Sequence, residues 1–153
     1  MTENNIKIAL IGCGRVAGHH CLSIANTEGV ELAAVSDLVL ERAQNFGDEY
    51  GVPAYANYHQ MLREHPKIDI VSVITASGMH QEHAVDVIEN YGKHVIVEKP
   101  TFMRPEQAGD VFDLGDSNGA QIFPVFQNRY NKAVARVRKA LDNDELGDIR
   151  IVS

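Results

Sequence analysis

The sequence predicts an α/β fold built on a doubly wound parallel sheet, and three observations support that prediction. Short apolar runs alternate with amphipathic stretches along the chain, in the order that β-α-β units produce. Most of the apolar runs are continuous rather than alternating, as in parallel strands that are covered on both faces. The first run ends in a glycine-rich turn, and the second ends in an aspartate.

The apolar runs predict five strands and one shorter strand. The predicted strands are residues 6–11, 32–36, 70–74, 94–97 and 121–125, and the short strand lies near residues 54–55. No repeat of solenoid period and no low-complexity linker interrupts this pattern. We therefore expect the strands to form one sheet.

The amphipathic stretches between the strands predict six helices, at residues 15–25, 40–50, 58–64, 83–91, 105–117 and 131–141. Glycine follows four of them, which is typical of helices that end in a left-handed residue. These glycines are Gly29, Gly51, Gly92 and Gly119. The fifth helix is expected to bury Val111, Phe112 and Leu114.

The first strand leads into a G-x-G-x-x-A loop. Gly12 is placed to make the tight turn out of the strand, and Gly14, which lacks a Cβ, lets the backbone approach a pyrophosphate. Ala17 allows the following helix to pack closely on the strand. The first free N–H groups of that helix, near Arg15 and Val16, would then face the phosphates with the positive end of the helix dipole.

Asp37 ends the second strand, at the distance from the loop that dinucleotide sites require. A carboxylate there accepts hydrogen bonds from the adenosine ribose hydroxyls and repels a ribose phosphate. Leu38 follows, where enzymes that use NADP often carry a basic residue. These residues predict an NAD site rather than an NADP site, and the alternative is a tight strand–helix turn with a capping aspartate.

The composition narrows the class of protein. A chain of 153 residues corresponds to about one domain, and its formal net charge of −7 argues against nucleic acid or an anionic membrane as partner. No apolar run approaches the length of a membrane span, and the first residues lack the regions of an export signal. We therefore expect a cytoplasmic protein that binds neither nucleic acid nor membrane.

The cysteines and histidines predict neither a disulfide framework nor a metal site. Cys13 and Cys21 are too few for such a framework and are expected to be reduced. The closest groupings of the seven histidines, which match no zinc pattern, are His19-His20 and His80-x-x-His83.

Glu98-Lys99-Pro100 directly follows the fourth long strand. In an open parallel sheet, ligands bind beyond the carboxyl ends of the strands, so these residues should share a rim with Gly12 and Asp37. A lysine at a hydride-transfer centre can polarise or deprotonate a hydroxyl group. The alternative interpretation is a surface lysine that ends a strand.

The glycine loop, Asp37, the segment Thr75-Ala76-Ser77-Gly78-Met79-His80 and Glu98-Lys99-Pro100 occur in a distinctive order. In that order they resemble the glucose-fructose oxidoreductase / inositol dehydrogenase / rhizopine catabolism (Gfo/Idh/MocA) family, and the resemblance covers nearly the whole chain. It implies a two-domain, NAD(P)-dependent sugar oxidoreductase with an N-terminal Rossmann domain. We expect that domain at residues 1–145 and the start of a second domain, otherwise missing from this sequence, at residues 146–153.

The resemblance also implies roles for individual residues. Lys99 corresponds to the catalytic lysine, and Glu98 to an acid that contacts the nicotinamide ribose. Thr75 to Ser77, including Ala76, correspond to the loop along the adenine–ribose side of NAD. His80 corresponds to the histidine that ends this motif, and the resemblance implies that it also binds the cofactor. Ala76 and Ser77 replace the proline and asparagine that are common there. His20, which recurs in the family near the cofactor helix, is interpreted as structural.

Gln127-Asn128-Arg129, together with Ser77-Gly78-Met79-His80, is similar to the UDP-N-acetylglucosaminuronate 3-dehydrogenases. This similarity implies that Gln127 contacts the cofactor and that Asn128 and Arg129, with Lys99, contact a nucleotide sugar. The planar guanidinium of an arginine pairs well with a uronate carboxylate. The alternative for Arg129 is an ion pair with one of the chain's own acids.

Two other functions remain open at this point. The first is oxidation of a free sugar or of inositol. The N-terminal half of these enzymes does not distinguish this reaction from nucleotide-sugar oxidation. The second is a non-catalytic regulator that senses NAD, against which the intact Glu98-Lys99-Pro100 argues. The family resemblance further implies a homo-oligomer for the full-length protein.

Overall fold

The computed structural model describes residues 5–150 and confirms the predicted fold class. Its six strands form one parallel sheet in the order β3-β2-β1-β4-β5-β6. The strands are β1 (Ile6–Ile11), β2 (Val30–Ser36), β3 (Ala54–Tyr55), β4 (Ile70–Val73), β5 (His94–Val97) and β6 (Ile122–Pro124).

Six α-helices connect the strands or follow them. They are α1 (Ala17–Ala25), α2 (Leu40–Tyr50), α3 (Tyr58–Glu64), α4 (His80–Tyr91), α5 (Pro105–Asn118) and α6 (Lys132–Asp142). Two short 3₁₀ segments, Ser77–Met79 and Gln127–Tyr130, precede α4 and α6.

Strand β1 lies at the point where the order of the sheet reverses. It pairs with β2 on one side and with β4 on the other, so the chain winds outward first in one direction and then in the other. The segments that leave the carboxyl ends of β1 and β4 therefore diverge. Their divergence leaves a crevice at the carboxyl edge of the sheet, which is where open α/β sheets bind their ligands.

The core has two layers, one on each face of the sheet. On one face, Ile8 and Leu10 of β1 pack in a cluster that includes Cys21 of α1 and Ala43 of α2. On the other, Ile11 belongs to a cluster with residues of α3, α4 and α5. Each large apolar side chain buried in this way contributes about 1.5–3 kcal/mol, so the neighbouring residues of β1 hold both helix layers against the sheet.

The predicted helix starts at residues 15 and 83 were wrong. Arg15 and Val16 form a turn, in which the Ala17 N–H donates to the Gly14 carbonyl, and α1 begins only at Ala17. Helix α4 begins earlier than predicted, at His80, because the 3₁₀ turn at Ser77–Met79 runs directly into it. Both differences lie at the edge of the sheet that carries the candidate site.

Three of the four predicted glycine ends are confirmed, since Gly51, Gly92 and Gly119 cap α2, α4 and α5 in the left-handed conformation. Gly29 has a φ of +80°, but it lies beyond the end of α1, which is capped by Asn26. Phe112 was predicted to be buried and is 39% exposed. It lies beside the short edge strand β6, where little of the described protein is available to cover it.

The start of a second domain, which we expect at residues 146–153, is not tested. Residues 151–153 lie outside the described residues, and Ile149 and Arg150 have no regular secondary structure. Across residues 5–150, no helix is both long enough and apolar enough to cross a membrane.

Candidate functional site

Gly12 makes the tight turn that opens the site. Its φ is +101°, and a Cβ at this position would lie 2.8 Å from the carbonyl oxygen of Ile74. Its N–H donates a 2.7 Å hydrogen bond to the Ser36 carbonyl. The loop is therefore wedged between the ends of β2 and β4, where only glycine fits.

Gly14 is surrounded by open space, because a Cβ there would meet no protein atom within 4 Å. In the part of the chain that the structure describes, the N–H groups of Gly14, Arg15 and Val16 have no protein acceptor. They stand at the start of α1, which carries no acidic residue in its first turn. Unpaired N–H groups at the positive end of a helix dipole suit an anion such as a pyrophosphate.

Asp37 is fastened to the glycine loop. Its Oδ2 accepts a 2.8 Å hydrogen bond from the Cys13 N–H, and its Oδ1 accepts one of 2.8 Å from the Val39 N–H. Each carboxylate oxygen has a second lone pair for a further donor. Leu38, the next residue, is 91% exposed and adds no positive charge.

The loop after β4 is held by His80. The ring of His80 is buried, with Nδ1 2.8 Å from the Pro100 carbonyl oxygen and Nε2 3.0 Å from the Thr75 carbonyl oxygen. Both partners are acceptors, so each hydrogen bond depends on the ring nitrogen that carries a proton. His80 thus joins the loop after β4 to the segment after β5, while Ala76 is exposed and Ser77 is half-buried.

Thr75 has a second partner, since its Oγ1 lies 3.0 Å from Nδ1 of His83. Burial is the main cause that lowers the pKa of His83 below its usual value, although the nearby Glu82 and Asp86 act in the opposite direction. Burial therefore favours the neutral form of this ring.

Glu98 and Lys99 follow β5 at the same rim. The side chain of Glu98 is only 12% exposed, and its Oε1 lies 3.2 Å from Nε2 of His20. Its Oε2 accepts a 2.8 Å hydrogen bond from the backbone N–H of Lys99. Lys99 itself is exposed, and its bond to Pro100 is cis.

The sequence predicts a structural role for His20, but it does not predict that His20 lies beside Glu98. Its Nδ1 also lies 3.0 Å from Oγ of Ser72, which is fully buried in β4. Periodicity could show that His20 lies on the sheet-facing side of α1. Only the order of the strands brings it against Glu98 and Ser72.

Lys99 and the segment after β6 line one open hollow of about 420 Å³. Its other lining residues are Val125, Phe126, Gln127, Asn128 and Arg129. The Arg129 guanidinium stacks over the Phe126 ring, 5.2 Å from its centroid. No carboxylate among residues 5–150 forms an ion pair with Arg129, contrary to the alternative interpretation from the sequence.

The two cysteines are free, buried thiols. Burial, reinforced by the charge of Asp37, raises the pKa of Cys13 to about 12. Burial and the charge of Glu49 raise the pKa of Cys21 to about 11. Both thiols are therefore protonated and unreactive at neutral pH. Within the described range, no group of three or more metal-ligating side chains is present.

Comparisons with known proteins agree with this geometry. A sequence model described as "Oxidoreductase family, NAD-binding Rossmann fold" (GFO_IDH_MocA) matches residues 6–126. The chain is 32% identical to D-glucoside 3-dehydrogenase of Escherichia coli (strain K12) over an alignment of 154 positions. This alignment covers 100% of this chain and 44% of that protein. The chain is 30% identical over 146 residues to inositol 2-dehydrogenase of Salmonella typhimurium, which covers 93% of this chain and 43% of that protein.

The fold also resembles solved structures. The WlbA dehydrogenase from Bordetella pertussis, in complex with NADH and UDP-GlcNAcA, superimposes with a TM-score of 0.85 at 30% identity, over 94% of this chain and 43% of that chain. For myo-inositol 2-dehydrogenase from Lactobacillus plantarum the TM-score is 0.84 at 26% identity, over 95% of this chain and 43% of that chain. This chain thus spans less than half the length of these relatives.

Proposed function

This chain belongs to the GFO_IDH_MocA oxidoreductase family and carries its NAD-binding Rossmann domain, and we propose that the whole protein is an NAD-dependent sugar dehydrogenase. The observation that carries the proposal is the set of groups that lie together at one edge of the sheet. There the glycine loop with its unpaired N–H groups, the carboxylate of Asp37 and the exposed Lys99 follow β1, β2 and β5, whose carboxyl ends lie at the same edge of the parallel sheet.

The pyrophosphate of NAD would lie over Gly14 and bind the N–H groups of Gly14, Arg15 and Val16. This placement is supported by the open space at Gly14 and by the absence of an acid in the first turn of α1. Asp37 would accept hydrogen bonds from the adenosine ribose hydroxyls through its second lone pairs. A ribose phosphate would face this carboxylate and the uncharged Leu38, so NAD is the expected cofactor.

Thr75, Ala76 and Ser77 would lie along the adenine–ribose side of the cofactor. His80, although we expected it to bind the cofactor, is buried, so we propose that it acts by holding Thr75 and Pro100 in place. Ordered loops lose less conformational freedom when a ligand binds. Gln127 would contact the nicotinamide end from the hollow that it shares with Lys99.

Lys99 is the proposed catalytic residue. When bound, NAD supplies the acceptor for a hydride from the sugar carbon. The side chain of Lys99, as the neutral amine, hydrogen-bonds to the sugar hydroxyl and takes up its proton as the carbonyl forms, which leaves Lys99 as an ammonium ion. Glu98 would contact the nicotinamide ribose, and its hydrogen bond with the Lys99 N–H fixes the start of this segment.

A nucleotide sugar such as UDP-N-acetylglucosaminuronate, oxidised at its 3-hydroxyl, is the proposed substrate. The likeness to the WlbA complex supports it, as does the Arg129 guanidinium, which is free of ion pairs among the described residues and lies beside Lys99 and Asn128. Oxidation of a free sugar or an inositol is the second candidate, supported by the similarity to D-glucoside and inositol dehydrogenases. We further propose a cytoplasmic homo-oligomer.

The test is reduction of NAD by the whole protein, followed by absorbance of the reduced nicotinamide. UDP-N-acetylglucosaminuronate, a D-glucoside and myo-inositol are supplied separately, each with and without 2-oxoglutarate. A burst of NADH with the nucleotide sugar, reversed by 2-oxoglutarate, supports the first candidate and recycling of a tightly held cofactor. Turnover only with the glucoside or the inositol selects the second. NAD binding with no turnover on any substrate favours a non-catalytic regulator.

A further inference from the structure

We propose that His20 is a positioning residue for Lys99, acting through the carboxylate of Glu98. This inference rests on the proposed function, since it concerns the lysine that we place at the reaction centre. A chain of four residues from three elements carries it: Ser72 in β4, His20 in α1, and Glu98 and Lys99 after β5.

The contacts form one continuous path. Oγ of Ser72 lies 3.0 Å from Nδ1 of His20, and Nε2 of His20 lies 3.2 Å from Oε1 of Glu98. Oε2 of Glu98 in turn lies 2.8 Å from the backbone nitrogen of Lys99. The side chains of His20 and Glu98 are only 14% and 12% exposed. Water therefore competes little for these hydrogen bonds, and losing one leaves a polar group without its partner.

The donors and acceptors match if the ring is neutral and carries its proton on Nε2. The Ser72 hydroxyl then donates to Nδ1, and Nε2–H donates to Glu98. The second carboxylate oxygen accepts from the Lys99 N–H. Every polar atom along the path has a partner, so His20 sets the orientation of the carboxylate that holds the Lys99 backbone.

The arrangement of serine, histidine and carboxylate is not a nucleophilic triad. Ser72 is completely buried in the central sheet, where no substrate can reach its hydroxyl. Among these four side chains, only that of Lys99 is exposed. The chemistry therefore belongs to the lysine, and the other three residues hold it in place.

The position of His20 links two parts of the site. It lies one turn into α1, whose N-terminus we place on the pyrophosphate, and it contacts the segment that carries the catalytic lysine. Loss of the contact should misplace Lys99 while leaving the phosphate-binding N–H groups intact. A small misplacement of a catalytic group costs ~100-fold in rate in unfavourable cases.

Two substitutions test separately the contact of His20 with Glu98 and its contact with Ser72. His20→Gln keeps an N–H donor near the position of Nε2, toward Glu98. His20→Asn keeps an acceptor near the position of Nδ1, toward Ser72, but cannot reach Glu98. His19→Asn, on the exposed neighbouring histidine, is the matched control. The variants of the whole protein are compared by kcat, KM, NAD affinity and hydrogen exchange of the Lys99 amide.

For His20→Asn we expect kcat to fall ~10- to 100-fold with little change in NAD affinity or KM. The Lys99 amide should also exchange faster in this variant. His20→Gln should restore both kcat and amide protection to within about threefold of the wild-type values, and His19→Asn should change neither. Equal kcat values for the Asn and Gln variants would overturn the proposal.

The proposed function can fail separately. If the wild-type protein binds NAD but oxidises none of the three sugars, the dehydrogenase assignment fails, and the Lys99 amide still decides the positioning question. Faster exchange in His20→Asn than in His20→Gln supports the path through Glu98. The same exchange rate in both variants contradicts it.

Discussion

The backbone N–H of Cys13 donates a 2.8 Å hydrogen bond to Oδ2 of Asp37, although the two residues follow different strands. The bond ties the glycine loop after β1 to the end of β2. The acid that we assign to the ribose is therefore held at a fixed distance from the N–H groups that we assign to the pyrophosphate. Two recognition elements are positioned before any ligand arrives, which reduces the entropy lost on binding.

Replacing Asp37 with alanine should weaken NAD binding ~10-fold or more, because hydrogen bonds to a carboxylate contribute about 1.5–3 kcal/mol. The same change removes the charge that repels a ribose phosphate, so NADP should improve relative to NAD. Titration calorimetry with both cofactors measures the ratio. Asp48→Ala, on the exposed side of α2, is the control, and an unchanged ratio in Asp37→Ala would rule out the ribose assignment.

The two glycines of the loop should respond differently to alanine. At Gly12 a Cβ meets the Ile74 carbonyl oxygen at 2.8 Å and φ is +101°, so Gly12→Ala should lower the free energy of unfolding by about 2–4 kcal/mol. At Gly14 the protein leaves the space open, so Gly14→Ala should unfold like the wild type but bind NAD weakly. Urea unfolding and NAD titration distinguish the two effects. Equal destabilisation by both substitutions would contradict this division of roles.

The buried thiol of Cys13 should make stability depend on alkaline pH. Its pKa is about 12 in the folded protein against 9.0 for an ordinary thiol, so the folded state holds this proton more tightly. The resulting stability is complete below pH 9 and is lost as the pH rises toward 12. The free energy of unfolding should therefore fall less steeply between pH ~8 and ~10.5 in Cys13→Ala than in the wild type. Parallel curves would show that Cys13 contributes nothing.

His80 should matter for both stability and cofactor binding. His80→Ala removes the ring that lies within hydrogen-bond distance of the Thr75 and Pro100 carbonyls and leaves a cavity, at a cost of about 2–4 kcal/mol in unfolding. Because these carbonyls belong to the two loops that would flank the cofactor, NAD affinity should fall as well. Met61→Ala, on the buried face of α3, is a control of similar cost. If both variants bind NAD equally well while folded, His80 does not order the site.

The sequence predicted the sheet well because burial on both faces leaves a clear signal. Strands β1 and β5 have the predicted bounds, and β2, β4 and β6 differ by two residues or fewer at either end. Helix starts were less certain at the carboxyl edge, where Arg15 belongs to a turn before α1 and Ser77 to a 3₁₀ turn before α4.

Side-chain partners across the sheet could not be predicted. His20, Ser72 and Glu98 meet because β4 pairs with β1 and β5 pairs with β4. This strand order cannot be read from local periodicity. The prediction of burial at the edge of the sheet was wrong for a related reason. The predicted burial of Phe112 assumed a covering layer that the described residues do not provide beyond β6.

The most direct measurement is a single turnover of Lys99→Ala beside the wild type, with the substrate that the wild-type protein oxidises. Enzyme and NAD are mixed in excess over the sugar, and formation of reduced nicotinamide is followed by absorbance. We expect hydride transfer to be abolished in Lys99→Ala while NAD affinity stays within about threefold of the wild type. Hydride transfer at the wild-type rate without this side chain would contradict the role of Lys99 and the mechanism built on it.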